Sequence, residues 1–170
     1  DVYGGTFRLT EQILNRFNIE FTTVDTTKLE QIEGAIQSNT KLIYIETPSN
    51  PCFKITDIKA VSKIAEKHEL LVAVDNTFMT PLGQSPLLLG ADIVIHSATK
   101  FLSGHSDLIA GAVITNNEAI SEALYLIQNG TGNMLSAQDS WTLAKHLKTF
   151  PIRFKQSVEN AQKIVSFLIK

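Results

Sequence analysis

The sequence predicts an α/β fold: a mostly parallel sheet flanked by helices. Three observations carry that expectation. Short apolar runs rich in β-branched residues alternate with stretches of helical periodicity as far as residue 115. One run, "LLVAVD" (70–75), is almost continuously apolar, as a strand covered on both faces must be. Beyond residue 115 the pattern turns helical throughout, so helices close the chain.

The elements follow in order. Residues 5–17, "GTFRLTEQILNRF", set Phe7, Ile13, Leu14 and Phe17 at near-helical spacing. "IEFTTV" (19–24) has the composition of a strand. "TTKLEQIEGAIQS" (26–38) reads as a helix with Thr27 as N-cap and Glu30 three residues on. "KLIYIE" (41–46) is a strand closed by the turn-rich "TPSNP". "TDIKAVSKIAEKHE" (56–69) is an amphipathic helix with Ile58, Val61, Ile64 and Ala65 on one face. The strand at 70–75 is followed by two more, "DIVIHSA" (92–98) and "LIAGAVIT" (108–115). Residues 117–130, 136–150 and 153–170 read as helices, the last two separated at Pro151. Pro48, Pro51, Pro81 and Pro86 fall between elements, where proline is tolerated.

Bulk properties narrow the function classes. The 170 residues fit one domain with a real core, and 44% hydrophobic against 19% charged residues describes a globular chain. A net charge of −2 argues against a nucleic-acid surface, which needs a basic face. No apolar run approaches the roughly 18 residues that span a membrane. The single cysteine, Cys52, gives no internal disulfide and suits a reducing, cytoplasmic compartment. Four scattered histidines offer no zinc spacing.

Ligands of open α/β sheets bind beyond the carboxyl ends of the strands. Four polar clusters fall at such positions: Glu46–Pro51, Asp75–Thr77, Ser97–Lys100, and Tyr3 ahead of the first helix. Singly they are ordinary. A lysine after a strand is usually a solvated charge, an aspartate a turn former, and Tyr-Gly-Gly a turn. Jointly they supply what pyridoxal phosphate requires. Lys100 offers an amine to bond the cofactor aldehyde, and Asp75 a carboxylate for the pyridine nitrogen. Tyr3 offers an aromatic face for the ring, and Ser97 with Thr99 hydroxyls for the phosphate.

Five stretches, "DVYGGTFR", "IETPSNP", "VDNTFMTP", "GADIVIHSATKFLSGHSD" and "GAV", stand in one order along nearly the whole chain. Together they resemble the pyridoxal-phosphate-dependent enzymes of cysteine and methionine metabolism, the cystathionine β-lyases, γ-lyases and γ-synthases. The resemblance implies the large cofactor domain of the aspartate-aminotransferase fold (fold type I). Residues 1–150 would form that domain, and 151–170 a long helix leading toward a C-terminal small domain. It makes Lys100 the cofactor-bearing lysine and proton shuttle, Asp75 the partner of the ring nitrogen, and Tyr3 the stacked ring and a later acid or base. Asn50 would bond the ring hydroxyl with Thr77 nearby, Ser97 and Thr99 would hold the phosphate, and Arg8 would lie near the substrate. The activity implied is C–S lysis of an amino acid, foremost cystathionine to homocysteine, pyruvate and ammonia, with γ-elimination and γ-replacement as alternatives. The assembly implied is a homotetramer with active sites shared between paired subunits.

The pattern also departs from the family. Methionine γ-lyases often carry cysteine where Gly5 stands, which disfavours that specificity. The absent initiator methionine and the apolar pattern running up to Lys170 predict a piece of a longer protein. The family's phosphate loop would then precede Asp1, with the segment that reaches the neighbouring subunit. The arginine for the substrate α-carboxylate would follow Lys170. A reading of another class is therefore a catalytically silent domain that associates with a partner chain, and a third is a degenerate binding protein. Intact Lys100 and Asp75 count against the third.

Overall fold

Four strands, β1 (Leu42–Glu46), β2 (Leu71–Asp75), β3 (Ile93–Ser97) and β4 (Gly111–Ile114), form one sheet in the order β1-β2-β3-β4. The computed structural model describes residues 2–169. It divides into two units. The first runs as far as Ile95 and takes in Val113–Glu118; the second holds His96–Ala112 and the chain from Ala119 onward.

In the first unit β1 and β2 pair in parallel from Leu42↔Leu71 to Glu46↔Asp75, and β2 and β3 from Ala73↔Ile93 to Asp75↔Ile95. Both ends of the β2–β3 register are pinned. Asp92 takes the Val72 N–H on Oδ2 at 2.8 Å, and its own N–H donates to the Val72 carbonyl at 3.0 Å. At the other end the Asn76 N–H donates to the Ile95 carbonyl at 2.8 Å.

Side chains alternate across a strand, so the sheet has two unlike faces. Ile43, Ile45, Val72 and Val74 turn to one face and pack with Ile58, Val61, Ile64 and Ala65 of α3 (Ile58–Lys67) and Ile32 of α2 (Leu29–Gly34). Asp57 caps α3 by accepting the Ala60 N–H at 3.0 Å. The helix ends with Glu69 in the left-handed region (φ 56°) and the Leu70 N–H on the Ala65 carbonyl at 2.9 Å. That closing motif turns the chain directly into β2.

The second unit joins the strand ends and the irregular stretch between them to helices. It contains α6 (Ala137–Leu147), α7 (Phe150–Leu168) and most of α5 (Glu118–Thr131). Ser136 caps α6 on the Asp139 N–H at 3.0 Å, and Pro151 lies in the first turn of α7, where its missing N–H costs nothing. A small core of Ala98, Leu108 and Ala110 packs with Leu102, Leu135 and Leu143. Among the described residues no helix is long and apolar enough to cross a membrane.

Three sequence expectations need correction. Residues 19–24 form no strand: Ile19 and Phe21 are exposed, and β composition makes a strand only where a ladder partner exists. Thr27 does not cap α2. Asp25 Oδ1 captures both its N–H (3.2 Å) and its hydroxyl (2.9 Å), so the helix starts at Leu29 behind Lys28. The strand expected at 108–115 shrinks to Gly111–Ile114, because the Ala110 N–H is taken by the Thr99 hydroxyl at 2.9 Å. The helix expected over 5–17 is continuous but irregular. It runs from α1 (Gly4–Arg8) through a wide turn (Leu9–Ile13) into a tight one (Leu14–Phe17). A short helix, α4 (Thr80–Gly83), was not anticipated.

Ile45 is 1% exposed in the centre of the apolar face, whereas Leu88 is 86% exposed. Ile45→Ala should lower unfolding free energy by about 2–5 kcal/mol through lost burial and the cavity left behind. Leu88→Ala should stay within about 0.5 kcal/mol of the parent. Denaturant titration of both variants reads the difference.

Candidate active site

The polar face of the sheet in the first unit gathers four of the sequence-predicted residues. Glu46 ends β1 and is 8% exposed. Its Oε2 accepts the Tyr3 N–H at 2.9 Å and its Oε1 the Asn50 N–H at 2.7 Å. One carboxylate thus ties the residue ahead of α1 to the loop after β1. Burial pushes its pKa up, and the two N–H donors work against that shift.

Asp75 lies opposite Glu46 at the end of β2. Its Oδ1 accepts the Thr77 N–H at 3.0 Å, and its Oδ2 the phenol of Tyr44 at 3.3 Å. Burial raises the Tyr44 pKa, and the neighbouring Asp75 carboxylate adds to the effect. The phenol therefore stays protonated and remains a donor. Tyr3 is 49% exposed, so its ring is accessible. A Cβ on Gly5 would come within 2.6 Å of Tyr3 Cε1, so the absence of a side chain at position 5 lets the ring lie where it does. Arg8 is exposed on α1, with Nη1 3.5 Å from where a Cβ on Gly4 would stand.

Behind Asp75 lies a buried amide network. Asn76 is 0% exposed. Its Nδ2 donates to the carbonyls of Thr80 (3.1 Å) and Gln84 (2.9 Å), and its Oδ1 accepts from Gln84 Nε2 at 2.9 Å. Gln84 Nε2 also reaches the Thr47 carbonyl at 3.3 Å. The loops after β1 and β2 are locked together immediately next to Asp75. Thr80 is held at φ 59°, a conformation that a β-branched residue enters only when its surroundings impose it.

The second unit carries Ser97, Thr99 and Lys100, at the end of β3 and in the turn that follows it. Ser97 and Thr99 are half-buried and Lys100 is exposed. The Thr99 hydroxyl donates to the Ala110 carbonyl (3.2 Å) and accepts the Ala110 N–H (2.9 Å), so its bonds here go to backbone. The Lys100 N–H donates to the Ser97 carbonyl at 3.1 Å.

The sequence reading did not assign roles to Glu46, Tyr44 or Asn76. Alternation could have found the first two: "YIE" places Tyr44 and Glu46 on the same face, and a parallel neighbour ending in Asp75 matches it. Nothing local marks Asn76, whose partners lie up to eight residues away on the far side of α4.

This donor set fits a pyridine cofactor bearing an aldehyde and a phosphate. In the first unit Asp75 is an oriented carboxylate and Tyr3 an accessible aromatic face; in the second Lys100 is an accessible amine and Ser97 a hydroxyl on a strand end. Fold and donors together are those of a pyridoxal-phosphate-dependent enzyme. The chain belongs to the Cys/Met metabolism PLP-dependent enzyme family, whose model matches residues 1–170.

Its relatives are similar over almost all of this chain. It is 76% identical to a cystathionine β-lyase MetC of Staphylococcus haemolyticus over 168 residues, covering 99% of this chain and 43% of that protein. It is 54% identical to a cystathionine γ-lyase of Bacillus subtilis, covering 99% of this chain and 44% of that one. The crystal structure of cystathionine γ-lyase from Lactobacillus plantarum complexed with L-serine superposes with a TM-score of 0.98 at 48% identity, covering 100% of this chain and 45% of that one. The chain therefore spans less than half the length of the relatives it matches.

Truncating Asn76 to alanine would leave the Gln84 carbonyl without its donor and take one acceptor from Gln84 Nε2, while the Thr80 carbonyl would keep only the Gln84 N–H at 3.2 Å. Asn76→Ala should cost about 2–4 kcal/mol of stability, more than a single exposed hydrogen bond is worth. It should also loosen cofactor retention, because Asp75 loses its backing. Thermal unfolding with and without added cofactor separates the two effects.

Proposed function

We propose that the protein carrying this chain is a pyridoxal-phosphate-dependent carbon–sulfur lyase that cleaves cystathionine to homocysteine, pyruvate and ammonia. The single observation that carries this reading is the 76% identity to a cystathionine β-lyase over 168 residues. When bound, the cofactor supplies an electron sink for the carbanion formed at the substrate Cα. Asp75 keeps a proton at the ring nitrogen, oriented by the Tyr44 phenol and the Thr77 N–H. Lys100 would hold the cofactor through its amine and, once free, would take the proton from the substrate Cα. Tyr3 covers the ring and serves as a second acid or base. Asn50 bonds the ring hydroxyl with Thr77 beside it, Ser97 and Thr99 hold the phosphate, and Arg8 faces the substrate.

In this reading residues 1–150 are the cofactor domain, and 151–170 lead toward a small domain. The enzyme is a cytoplasmic homotetramer that acts on a small amino acid. A second reading keeps the same cofactor chemistry with γ-elimination or γ-replacement. It is supported by the 54% identity to a γ-lyase and by a 44% identical cystathionine γ-synthase of Mycobacterium leprae.

Three experiments on the full-length protein test the proposal. Lys100→Ala should abolish the visible absorption band of the lysine-bound cofactor and lower turnover by at least about 100-fold, the usual worth of a positioned acid–base group. Asp75→Asn should spare cofactor binding more than turnover, since it removes the charge that holds the ring proton. A band that survives Lys100→Ala would show that another lysine carries the cofactor. The keto acid released from cystathionine then decides the reaction type: pyruvate is expected, and 2-oxobutyrate would replace β- with γ-elimination.

A further inference from the structure

The turn that presents Lys100 belongs to no helix or strand, yet every carbonyl from Lys100 to Ser103 has a partner. The Lys100 carbonyl accepts the Gly104 N–H at 2.7 Å, and the Ser103 carbonyl bonds His105 Nδ1 at 2.7 Å. The two carbonyls between them go to one side chain. Arg153 Nη1 donates to the Phe101 carbonyl at 3.1 Å, and Nη2 to the Leu102 carbonyl at 3.2 Å. The same guanidinium is anchored from behind: Nη2 also donates to the His146 carbonyl at 3.0 Å, and Nε to the Thr149 hydroxyl at 3.1 Å. Its four bonds join the end of α6, the start of α7 and the Lys100 turn. Phe154, one residue on, packs edge-on against Phe101 with ring centroids 5.4 Å apart.

The turn is shaped around that guanidinium. Gly104 sits at φ 75°, and a Cβ there would lie 1.7 Å from Arg153 Nη1. Any side chain at 104 would occupy the space the arginine fills. Ser103 is 0% exposed and ties the same stretch down through Asp107 Oδ1 and His146 Nδ1, each at 3.3 Å.

We infer that Arg153 is a positioning residue for the Lys100 amine, setting the aim of the turn that carries it from the first turn of α7. The inference rests on the reading of Lys100 as the cofactor-bearing lysine. A planar fork with fixed donor directions suits two successive carbonyls, whereas a lysine ammonium is a single point of charge. A reacting amine has to be held to a fraction of an ångström, so a small tilt of this turn is costly to rate even when the fold survives.

The test compares Arg153→Lys and Thr149→Val with the parent full-length holoenzyme; Thr149→Val removes the Nε anchor and the hydroxyl's own bond to the His146 carbonyl, and leaves both bonds from Arg153 to the Lys100 turn. Arg153→Lys should retain the lysine-bound cofactor but lower kcat by about 10- to 100-fold. Its KM should stay within about twofold, and the pH midpoint at which the cofactor band titrates should move. Thr149→Val should shift the same quantities in the same direction by less. If both variants lose thermal stability while kcat per bound cofactor and the pH midpoint stay at parental values, Arg153 is only a helix brace and the inference is overturned. A parent protein without a Lys100-dependent band would instead overturn the functional reading, and this inference with it.

Discussion

The carboxamide of Asn76 is the constraint on which the polar end of the first unit depends. It is wholly buried, and both its nitrogen and its oxygen are engaged, by backbone on one side and Gln84 on the other. A buried amide earns its place only when satisfied in this way, because an orphaned group costs as much as the bond itself contributes. The consequence reaches outward. The backbone N–H of Asn76 closes the β2–β3 register, its side chain holds Thr80 in a strained conformation, and Gln84 carries the linkage to the loop after β1. Asp75, one residue earlier, inherits a fixed backbone from this lattice and needs only Tyr44 and Thr77 to fix its carboxylate.

The same sheet separates stability from chemistry by its two faces. Ile45 and Val74 turn toward α3, while Tyr44, Glu46 and Asp75 turn away from it. The apolar face contributes burial, and the polar face spends some of it on a shielded carboxylate whose pKa is raised. Glu46 is tolerable there because two backbone N–H groups meet its oxygens. Those bonds also give it a task, since the N–H groups belong to Tyr3 and Asn50. A residue that looks like the last letter of a strand therefore sets the backbone of two others.

What could be read from the sequence was whatever a strand or helix period encodes locally. β1, β2, β3 and α3 follow directly from short apolar runs rich in β-branched residues and from the spacing of Ile58, Val61 and Ile64. Asp75 was visible because it terminates such a run. Residues 19–24 misled because β composition says nothing about whether a partner strand exists. Thr27 misled because Asp25, two residues earlier, takes up its N–H and its hydroxyl. Tyr44 was hidden by its apolar neighbours, although its place in the alternation was there to be counted.

Asp75 and Lys100 differ in how they are supported, and the difference explains why one was easier to understand than the other. Asp75 ends a regular strand, so ladder bonds to both neighbours orient it and the supporting residues are close in sequence. Lys100 follows β3 into an irregular turn, where no ladder supplies partners for the backbone. Two of its carbonyls are met by one side chain, which lies 51 and 52 residues away. No local window of sequence contains both ends of that interaction. An accessible amine on a rigid base is what an attacking lysine requires, and an irregular turn can provide it only by borrowing rigidity from distant helices. The motif around Lys100 thus marks the proposed reacting group, while the support of its turn is written in the junction between α6 and α7.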